Sequence, residues 1–321
     1  MVGASIQYIY TKAPDHMKRP YPKHDGALGN MPTANLYRPE ISTRPSRRLP
    51  SRIRSVSVVI PTGGRMCGLL RAVASVEKQD YCGEIEIVVV ASEMDDVALD
   101  NIRSQAADSR LEISVVDVGP DIGSSDNALL RLRGAAQIGF KRNVGIDRSS
   151  GELITHLDDD NYWEASHLSD LVAAVESSQN GITHSWRKLL WPDGSPFLEG
   201  VYPWMKVPDR ASAEYVYAQL VDWGVRVQGS PLMRDCFLSD TGECRFTVDT
   251  SEWMMTADLA RCIPFRERLS FRELSHWLTD DYMFCLDAYR HGVRNVSTTG
   301  RPTLNYTIGG SSTRWLLAER K

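Results

Sequence analysis

The sequence lacks the segments that mark membrane and exported proteins. None of its apolar runs approaches the roughly 20 residues that a membrane-spanning helix needs, and its amino terminus has no apolar core of a signal peptide. The six cysteines include no Cys-x-x-Cys pair and no regular spacing, which favours free thiols in a reducing cytoplasm, although Cys236 and Cys244 could meet across a loop. We therefore expect a soluble, cytoplasmic protein.

Two nucleotide-binding motifs are also missing. The sequence contains neither a GxGxxG dinucleotide motif nor a GxxxxGK[ST] phosphate-binding loop. Its net charge of −4 gives no reason to expect nucleic acid as a partner. A length of 321 residues is enough for one large α/β domain or two small ones.

Charge and proline are concentrated at the amino terminus. Residues 1–54 carry ten basic groups against three acidic ones, and seven of the 16 prolines. This composition predicts an extended arm, and arms of this kind are more often tethers than sites. Three roles are open for it: wrapping the protein's own core, forming a homo-oligomer, or contacting an anionic acceptor.

The segment after the arm alternates strand and helix patterns. Strands are predicted at 56–60, 85–90, 111–118 and 153–157, with helices at 68–78, 97–107 and 167–177. This order predicts a parallel sheet with right-handed crossovers. Beyond residue 180 the pattern loosens into short strands, turns and one late helix at 280–291, and all eight tryptophans follow residue 161. We divide the chain into 1–54, a nucleotide-binding half at 55–165, and an acceptor-binding half at 166–321.

An acidic cluster follows the strand at 153–157. Asp158, Asp159 and Asp160 stand where ligands bind in open α/β sheets, at the carboxyl ends of strands. Their mutual repulsion is relieved by a cation, and Mg²⁺ or Mn²⁺ held by one or two carboxylates plus phosphate oxygens fits. A solvated acidic turn that caps the next helix is the alternative, and local sequence does not decide between the two.

Other polar groups support a site only in combination. Asp280 and Asp281 open the late helix, where acids are ordinarily explained by the helix dipole, although one could act as a general base. Arg142, in Lys-Arg-Asn, could meet a diphosphate or could lie on a solvated face. Gly63 and Gly64 would allow a nucleotide to approach the backbone closely.

Together these segments resemble a large family of inverting glycosyltransferases that includes spore-coat and polysaccharide glycosyltransferases. The matching segments are VSVVIPTGGR (56–65), ASVxxQxY (74–81), EIVVV (86–90), KRNVG (141–145), GELITHLDDDN (151–161) and DDYMF (280–284). Residues 55–165 are covered well, the following residues to about 300 thinly, and residues 1–54 not at all. The resemblance implies the A-type nucleotide-diphospho-sugar transferase fold, an α/β fold with a mainly parallel central sheet flanked by helices and an irregular acceptor-binding half.

The same resemblance implies an activity and a role for each site residue. The activity is metal-dependent transfer of a single sugar, with inversion, from a nucleoside-diphosphate sugar to an acceptor hydroxyl or amine. Pro61, Thr62 and Arg65 would line the nucleotide pocket, with Arg142 near the base or diphosphate. Asp158 and Asp159 would face the ribose, Asp160 would hold Mn²⁺ or Mg²⁺, and Asp281 would be the acceptor-activating base, with Asp280 beside it.

One departure from the family pattern concerns the nucleobase. The family usually has paired acids directly after the second strand, where this chain has Ala91 and Ser92, followed by Glu93. Ser92 or Glu93 would substitute, or the base is not uracil. Two other functions are open: a nucleotidyltransferase acting on a sugar phosphate, and a non-catalytic relative that binds sugar nucleotides.

Overall fold

The structure is a computed structural model, and it describes most of the chain after the predicted arm. Within the helix at 128–148 the side chains are described from residue 137. The predicted arm lies outside the described residues except for Ile53 and Arg54, and so do Glu93 and most of the predicted helix at 97–107. The described residues are 53–63, 65–92, 97, 100–102, 104, 111–119, 128–178, 180–205, 209–239, 242, 244–268, 280–310 and 313–320.

The first half forms the predicted parallel strands. β1 (Ser55–Thr62), β2 (Glu84–Ala91) and β3 (Glu112–Asp117) pair side by side in parallel, and α1 (Met66–Glu77) connects β1 to β2. The middle of β1 and β2 is buried on both faces, because helices cover both sides of the sheet. That burial explains why these strands read as continuous apolar runs in the sequence.

A helix that the sequence pattern did not indicate leads into the acidic cluster. α2 (Ala128–Arg148) is followed by β4 (Leu153–His156), which pairs in parallel with β1. Gly145 allows α2 to lie directly against the sheet, since a Cβ atom at this position would stand 2.2 Å from Val59 Cγ1. Because the hydropathy of α2 is low and uneven along the helix, its sequence does not show the apolar periodicity from which a helix is predicted.

The second half has more regular structure than its pattern indicated. β6 and β9 are nine and eleven residues long, and the described part contains helices besides the predicted one at 280. The elements are β5 (Tyr162–Trp163), α3 (His167–Ser178), β6 (Ile182–Leu190), α4 (Arg210–Asp222), β7 (Leu232–Met233), a 3₁₀ turn (Thr250–Glu252), β8 (Trp253–Thr256), α5 (Ala257–Cys262), α6 (Asp280–Arg290), β9 (Ser297–Thr307) and α7 (Arg314–Glu319).

One sheet joins the two halves. Among the described residues its strand order is β3-β2-β1-β4-β8-β6-β9-β5, with β7 on β6. The predicted boundary at residue 165 stays a prediction, since strands from both sides of it share this sheet. β8 runs antiparallel to β4, so β8 begins at the sheet edge where β4 ends. The 3₁₀ turn before β8 therefore lies beside the acidic cluster after β4.

Helices cover the sheet on both faces. On one face α1 and α3 pack on alternate residues of β1, with Leu69 and Leu171 buried among them. On the other face Ile146 of α2 and Phe284 of α6 pack around Trp253, which is fully buried. The six cysteines are all described and are free thiols. No helix in the described part of the chain is long and apolar enough to cross a membrane.

A buried charged cluster supports the turn before β8. Arg187 of β6 pairs with Asp249 at 2.7 Å and Asp235 at 3.2 Å. Asp249 caps the turn: its carboxylate accepts from the Ser251 N–H, and its own N–H donates to Glu252 Oε2. Burial, followed by the charge of Asp281, raises the pKa of Asp249 to about 8, and burial beside Asp235 raises that of Glu252. One guanidinium thus serves three buried carboxyl groups, so the cluster retains protons near neutral pH.

Replacing Gly145 with alanine should destabilise the fold. Alanine in place of a helical glycine ordinarily stabilises by about 0.5–1 kcal/mol. Here the added methyl group meets Val59, and we expect a loss of about 1–3 kcal/mol in the free energy of unfolding. Urea unfolding of Gly145→Ala measures this, with Asp147→Ala on the exposed side of α2 as the control. A gain in stability for Gly145→Ala would show that α2 does not pack closely on β1.

The buried carboxyl cluster should make stability fall as pH rises. Asp249 and Glu252 hold protons in the folded state that the unfolded chain releases near pH 4; the contribution of Asp249 is lost progressively up to about pH 8, and the raised pKa of Glu252 acts in the same direction. One such group gives a slope of about 1.4 kcal/mol per pH unit. Glu252→Gln should flatten the dependence between pH 5.5 and 8, whereas the exposed Glu214→Gln should leave it unchanged. Equal slopes in both variants, measured by urea unfolding, would contradict this account.

Candidate functional site

The acidic loop after β4 (Asp158–Asp160) is fixed by contacts from two neighbouring elements. The backbone N–H of Leu157 still pairs with Val59, and the chain leaves the sheet at Asp158. Asp158 is anchored through its backbone N–H, which donates to Ser251 Oγ at 3.1 Å. Gly68 lies directly against this loop, because a Cβ atom there would stand 2.3 Å from the Asp159 carbonyl oxygen. Contacts from α1 and from the turn before β8 therefore fix the acidic loop.

Asp159 and Asp160 share a single arginine. Thr62 Oγ1 donates to Asp159 Oδ2 at 2.6 Å, and Arg65 binds both the Asp159 carboxylate and, at 2.8 Å, Asp160 Oδ2. Burial, with the charges of Asp158 and Asp159 adding to it, raises the pKa of Asp160 to about 6 despite Arg65. The loop thus carries more negative charge than Arg65 balances, and an additional cation would be stabilised there.

Arg142 connects the acidic loop to the late helix. Its guanidinium pairs with Asp158 at 2.7 Å and also with Asp280, the first residue of α6, while lying over the Phe265 ring. The side chain of Arg142 is only 2% exposed. A buried guanidinium needs carboxylate partners, and these two come from positions 122 residues apart. Asp158 and Asp280 are therefore held on either side of one cation.

Asp281 is held by the turn that also anchors the acidic loop. Its Oδ1 accepts from the Thr250 N–H at 3.0 Å and from the Thr250 hydroxyl. The neighbouring Ser251 accepts from Asp158, and its carbonyl accepts from Trp163 Nε1 at 3.2 Å. Thr250 thus contacts Asp281, the predicted base, and the next residue contacts Asp158, which is predicted to face the ribose. Asp281 Oδ2 has no hydrogen-bond partner among the described residues.

The remaining predicted residues lie on the strands beside the loop. Pro61 is buried in β1, and Ser92 follows β2 with its N–H donating to the Thr62 carbonyl oxygen at 3.3 Å. Lys141 Nζ donates to the same carbonyl at 2.9 Å. Ser92 is therefore within the neighbourhood of the acidic loop, whereas Glu93 lies outside the described residues.

The acidic loop suits a metal ion whose coordination is completed by phosphate oxygens of a bound molecule. Within the described ranges no group of three His, Cys, Asp or Glu residues is arranged to bind a metal by itself. Asp160 nevertheless has a partly exposed carboxylate in a loop with excess negative charge. Mg²⁺ and Mn²⁺ are commonly bound by one or two carboxylates together with phosphate oxygens. The donor set thus suits an ion completed by a diphosphate.

Two contributors to this site were not predicted from the sequence. Arg71 of α1 donates to the Asp160 carbonyl at 2.6 Å and to Thr307 Oγ1 at 3.0 Å, which ties the acidic loop to β9. The turn residues Thr250 and Ser251 were not singled out either. An acid followed three residues later by glutamate, as in Asp249 and Glu252, is a helix-start pattern that could have located the turn but not its contacts.

Comparison with known proteins agrees with this fold. The model of the glycosyl transferase family 2 matches residues 57–189. No curated protein matches the sequence at a significant level. Among solved structures, residues 1–349 of S. aureus TarS are 18% identical over 79% of this chain, with a TM-score of 0.52. The same protein in complex with UDP-GlcNAc is 17% identical over 81% of this chain, with a TM-score of 0.50.

The two TarS structures show a shared fold rather than a shared substrate. At these identities the likeness concerns the fold alone, and this chain spans 60% of the length of each of those TarS chains. The family match covers the segment from β1 to the end of β6, including the acidic loop. The resemblance and the fold predicted from the sequence are thereby confirmed: residues 57–189 match the glycosyl transferase family 2 model, and the chain has the predicted A-type fold.

Proposed function

We propose that the chain transfers one sugar from a nucleoside-diphosphate sugar to an acceptor hydroxyl or amine, with inversion and with Mn²⁺ or Mg²⁺ bound at Asp160. The observation that carries the proposal is the pairing of Arg142 with both Asp158 and Asp280. Through it, the loop predicted to bind the donor and the residues predicted to activate the acceptor occupy one site. The acceptor itself is not identified by these contacts.

The donor would bind against the acidic loop and the end of β1. In this proposal Asp158 and Asp159 face the ribose, and Pro61, Thr62, Arg65 and Ser92 line the nucleotide pocket. A bound metal ion would act as a Lewis acid and neutralise charge that builds on the leaving diphosphate. The contacts of Arg142 are with protein carboxylates, so we assign it a positioning role in place of direct contact with the base or diphosphate.

Of the two acids that open α6, Asp281 is the better candidate for the base. The carboxylate of Asp280 is already paired with the buried Arg142. Asp281 is fixed through Oδ1 by Thr250, and its Oδ2 has no partner among the described residues. A general base must reach the acceptor proton with an available oxygen. An acceptor activated opposite the leaving diphosphate would give an inverted product in one displacement.

The proposed activity should appear as metal-dependent release of nucleoside diphosphate. Incubation with Mn²⁺ and a panel of nucleotide sugars should release diphosphate slowly even without an acceptor, and EDTA should abolish the release until Mn²⁺ is restored. A nucleotidyltransferase would instead release pyrophosphate from a nucleoside triphosphate and a sugar phosphate. If no nucleotide sugar turns over and pyrophosphate appears, the proposal is wrong and that alternative is correct.

Substitutions at Asp160 and Asp281 should have separable effects. Asp281→Asn removes the general base, so transfer should fall by about 10²–10⁴-fold while the Kd for nucleoside diphosphate changes little. Asp160→Asn removes a metal ligand, so the Kd measured with Mn²⁺ should rise, by about tenfold or more. Calorimetric titration and a transfer assay measure the two quantities. Full transfer activity in Asp281→Asn would show that Asp281 is not the base, whereas nucleotide binding without transfer in the unsubstituted protein would favour the non-catalytic relative.

The hydroxyl of Thr250 should matter for catalysis through the orientation of Asp281. Thr250→Val removes the hydroxyl at nearly constant volume, and we expect a loss of about 10–100-fold in kcat with the KM for donor unchanged, and an altered pH profile of kcat. Thr250→Ser should restore most of the activity, because serine retains the donor. A valine variant with normal kcat and pH profile would show that this contact does not position the base.

A further inference from the structure

The end of β9 lies directly against the acidic loop. Arg71 donates both to the Asp160 carbonyl and to Thr307 Oγ1. The backbone N–H of Thr307 also donates to Asn161 Oδ1 at 3.0 Å. Just after the strand, Gly310 approaches so closely that a Cβ atom there would stand 3.1 Å from Asp160 Oδ2. These contacts hold the last residues of β9 beside the carboxylate that is predicted to bind the metal.

Tyr306 precedes Thr307 in β9, and its side chain therefore points to the opposite face of the sheet. On that face the guanidinium of Arg187 lies 5.3 Å from the Tyr306 ring centroid. Arg187 also pairs with Asp249 beneath the turn before β8. Tyr306 thus adjoins the acidic loop through its own strand, and it adjoins the buried cluster that supports the turn through its ring.

The hydroxyl group of Tyr306 has a proton available for a ligand. Trp204 Nε1 donates to Tyr306 Oη at 2.9 Å, so the oxygen is the acceptor in this bond and keeps its own proton to donate. No group in the part of the chain that the structure describes accepts that proton. Burial, followed by the charges of Asp249 and Asp160, raises the pKa of Tyr306 well above its usual value. The half-buried hydroxyl therefore remains a donor at neutral pH.

A diphosphate at the acidic loop would supply the missing acceptor. A metal ion at Asp160 completed by phosphate oxygens brings charged oxygens beside the residue that Tyr306 adjoins. The β-phosphate carries the sugar, so it is the phosphate nearest the turn that holds Asp281. A hydrogen bond from a hydroxyl to a charged phosphate oxygen is stronger than one to an uncharged sugar hydroxyl. It gains further strength as charge builds on the leaving group.

We propose that Tyr306 is a further catalytic residue, which donates its hydroxyl hydrogen to a β-phosphate oxygen of the leaving diphosphate while Trp204 positions the hydroxyl. The inference rests on the proposed glycosyl transfer, because it requires a diphosphate at Asp160. In the transfer step the bond between the anomeric carbon and the diphosphate oxygen breaks, and its electron pair stays on the diphosphate. The Tyr306 proton stabilises that charge and remains on Oη.

Nucleotide binding to the full chain with Mn²⁺ tests the proposal. UDP, GDP, ADP, CDP and dTDP are titrated by calorimetry, and the diphosphate that binds most tightly is compared with its monophosphate, which lacks the β-phosphate. Tyr306→Phe keeps the ring and removes the hydroxyl. We expect the Kd for the diphosphate to rise about 10–100-fold, with the Kd for the monophosphate within about twofold of the unsubstituted value. Retained monophosphate binding also shows that the variant is folded.

Two control variants separate catalysis from structural support. Tyr215→Phe is the matched control, because the Tyr215 hydroxyl likewise accepts from a neighbour, Gln219 Nε2 at 3.2 Å. It should leave both Kd values unchanged. Trp204→Phe removes the N–H donor but keeps the Tyr306 hydroxyl, so it should weaken diphosphate binding less than Tyr306→Phe does.

Three results would overturn the proposal while leaving the donor site in place. They are an unchanged diphosphate Kd in Tyr306→Phe, equal losses for diphosphate and monophosphate, and equal losses in Tyr306→Phe and Trp204→Phe. The last two would show that the Tyr306 hydroxyl only anchors the segment around Trp204. If no nucleotide binds to the unsubstituted protein, the proposed donor site is itself wrong, and the role of Tyr306 is overturned with it.

Discussion

A buried guanidinium between two carboxylates organises this molecule. Arg142 lies on α2, Asp158 follows β4, and Asp280 begins α6, so the two ion pairs join α6 to elements that lie more than 100 residues earlier in the chain. Taking a guanidinium out of water is costly unless its partners are in place, and breaking such a group typically costs about 3–5 kcal/mol. Because the two pairs stabilise one another, the acidic loop and the late helix keep a fixed relation.

The turn at Thr250–Glu252 adds a second connection between the same two parts. The backbone N–H of Thr250 donates to Asp281, and the hydroxyl of Ser251 accepts from the backbone N–H of Asp158. Asp249 and Glu252 cap the turn through reciprocal hydrogen bonds between the side chain of each and the backbone N–H of the other. The buried Arg187 and its three carboxyl neighbours support this turn. Groups that are costly to bury are concentrated under the site, which is where a precise arrangement of polar side chains is needed.

Sequence patterns predicted the first half well and the second half poorly, for physical reasons. β1 and β2 are buried on both faces, and this leaves an apolar run that is easily recognised. α2 was not predicted because it has a low mean hydropathy and contains glycines such as Gly145, which serve close packing rather than helix propensity. β6 carries the buried polar residues Thr183, His184, Ser185 and Arg187, so its pattern does not resemble a strand.

The site could be predicted in its residue types but not in its contacts. Each acidic motif alone is ordinary, and Asp158–Asp160 and Asp281 were singled out because the order and spacing of several motifs resemble the glycosyltransferase family. The partners of Arg142 could not be read from the sequence, because its pairing with Asp158, 16 residues away, and with Asp280, 138 residues away, depends on the tertiary fold. For the same reason Thr250 and Ser251 carried no signal, although each contacts a predicted site residue.

The most direct test of this account is a crystal structure of the protein with Mn²⁺ and an unreactive nucleotide-sugar analogue. The account predicts the ion at Asp160 and the diphosphate beside it, with the Asp281 carboxylate facing the sugar on the side opposite the leaving group and Arg142 still paired with Asp158 and Asp280. A nucleotide bound away from the acidic loop, or an Asp281 carboxylate directed away from the bound sugar, would contradict it.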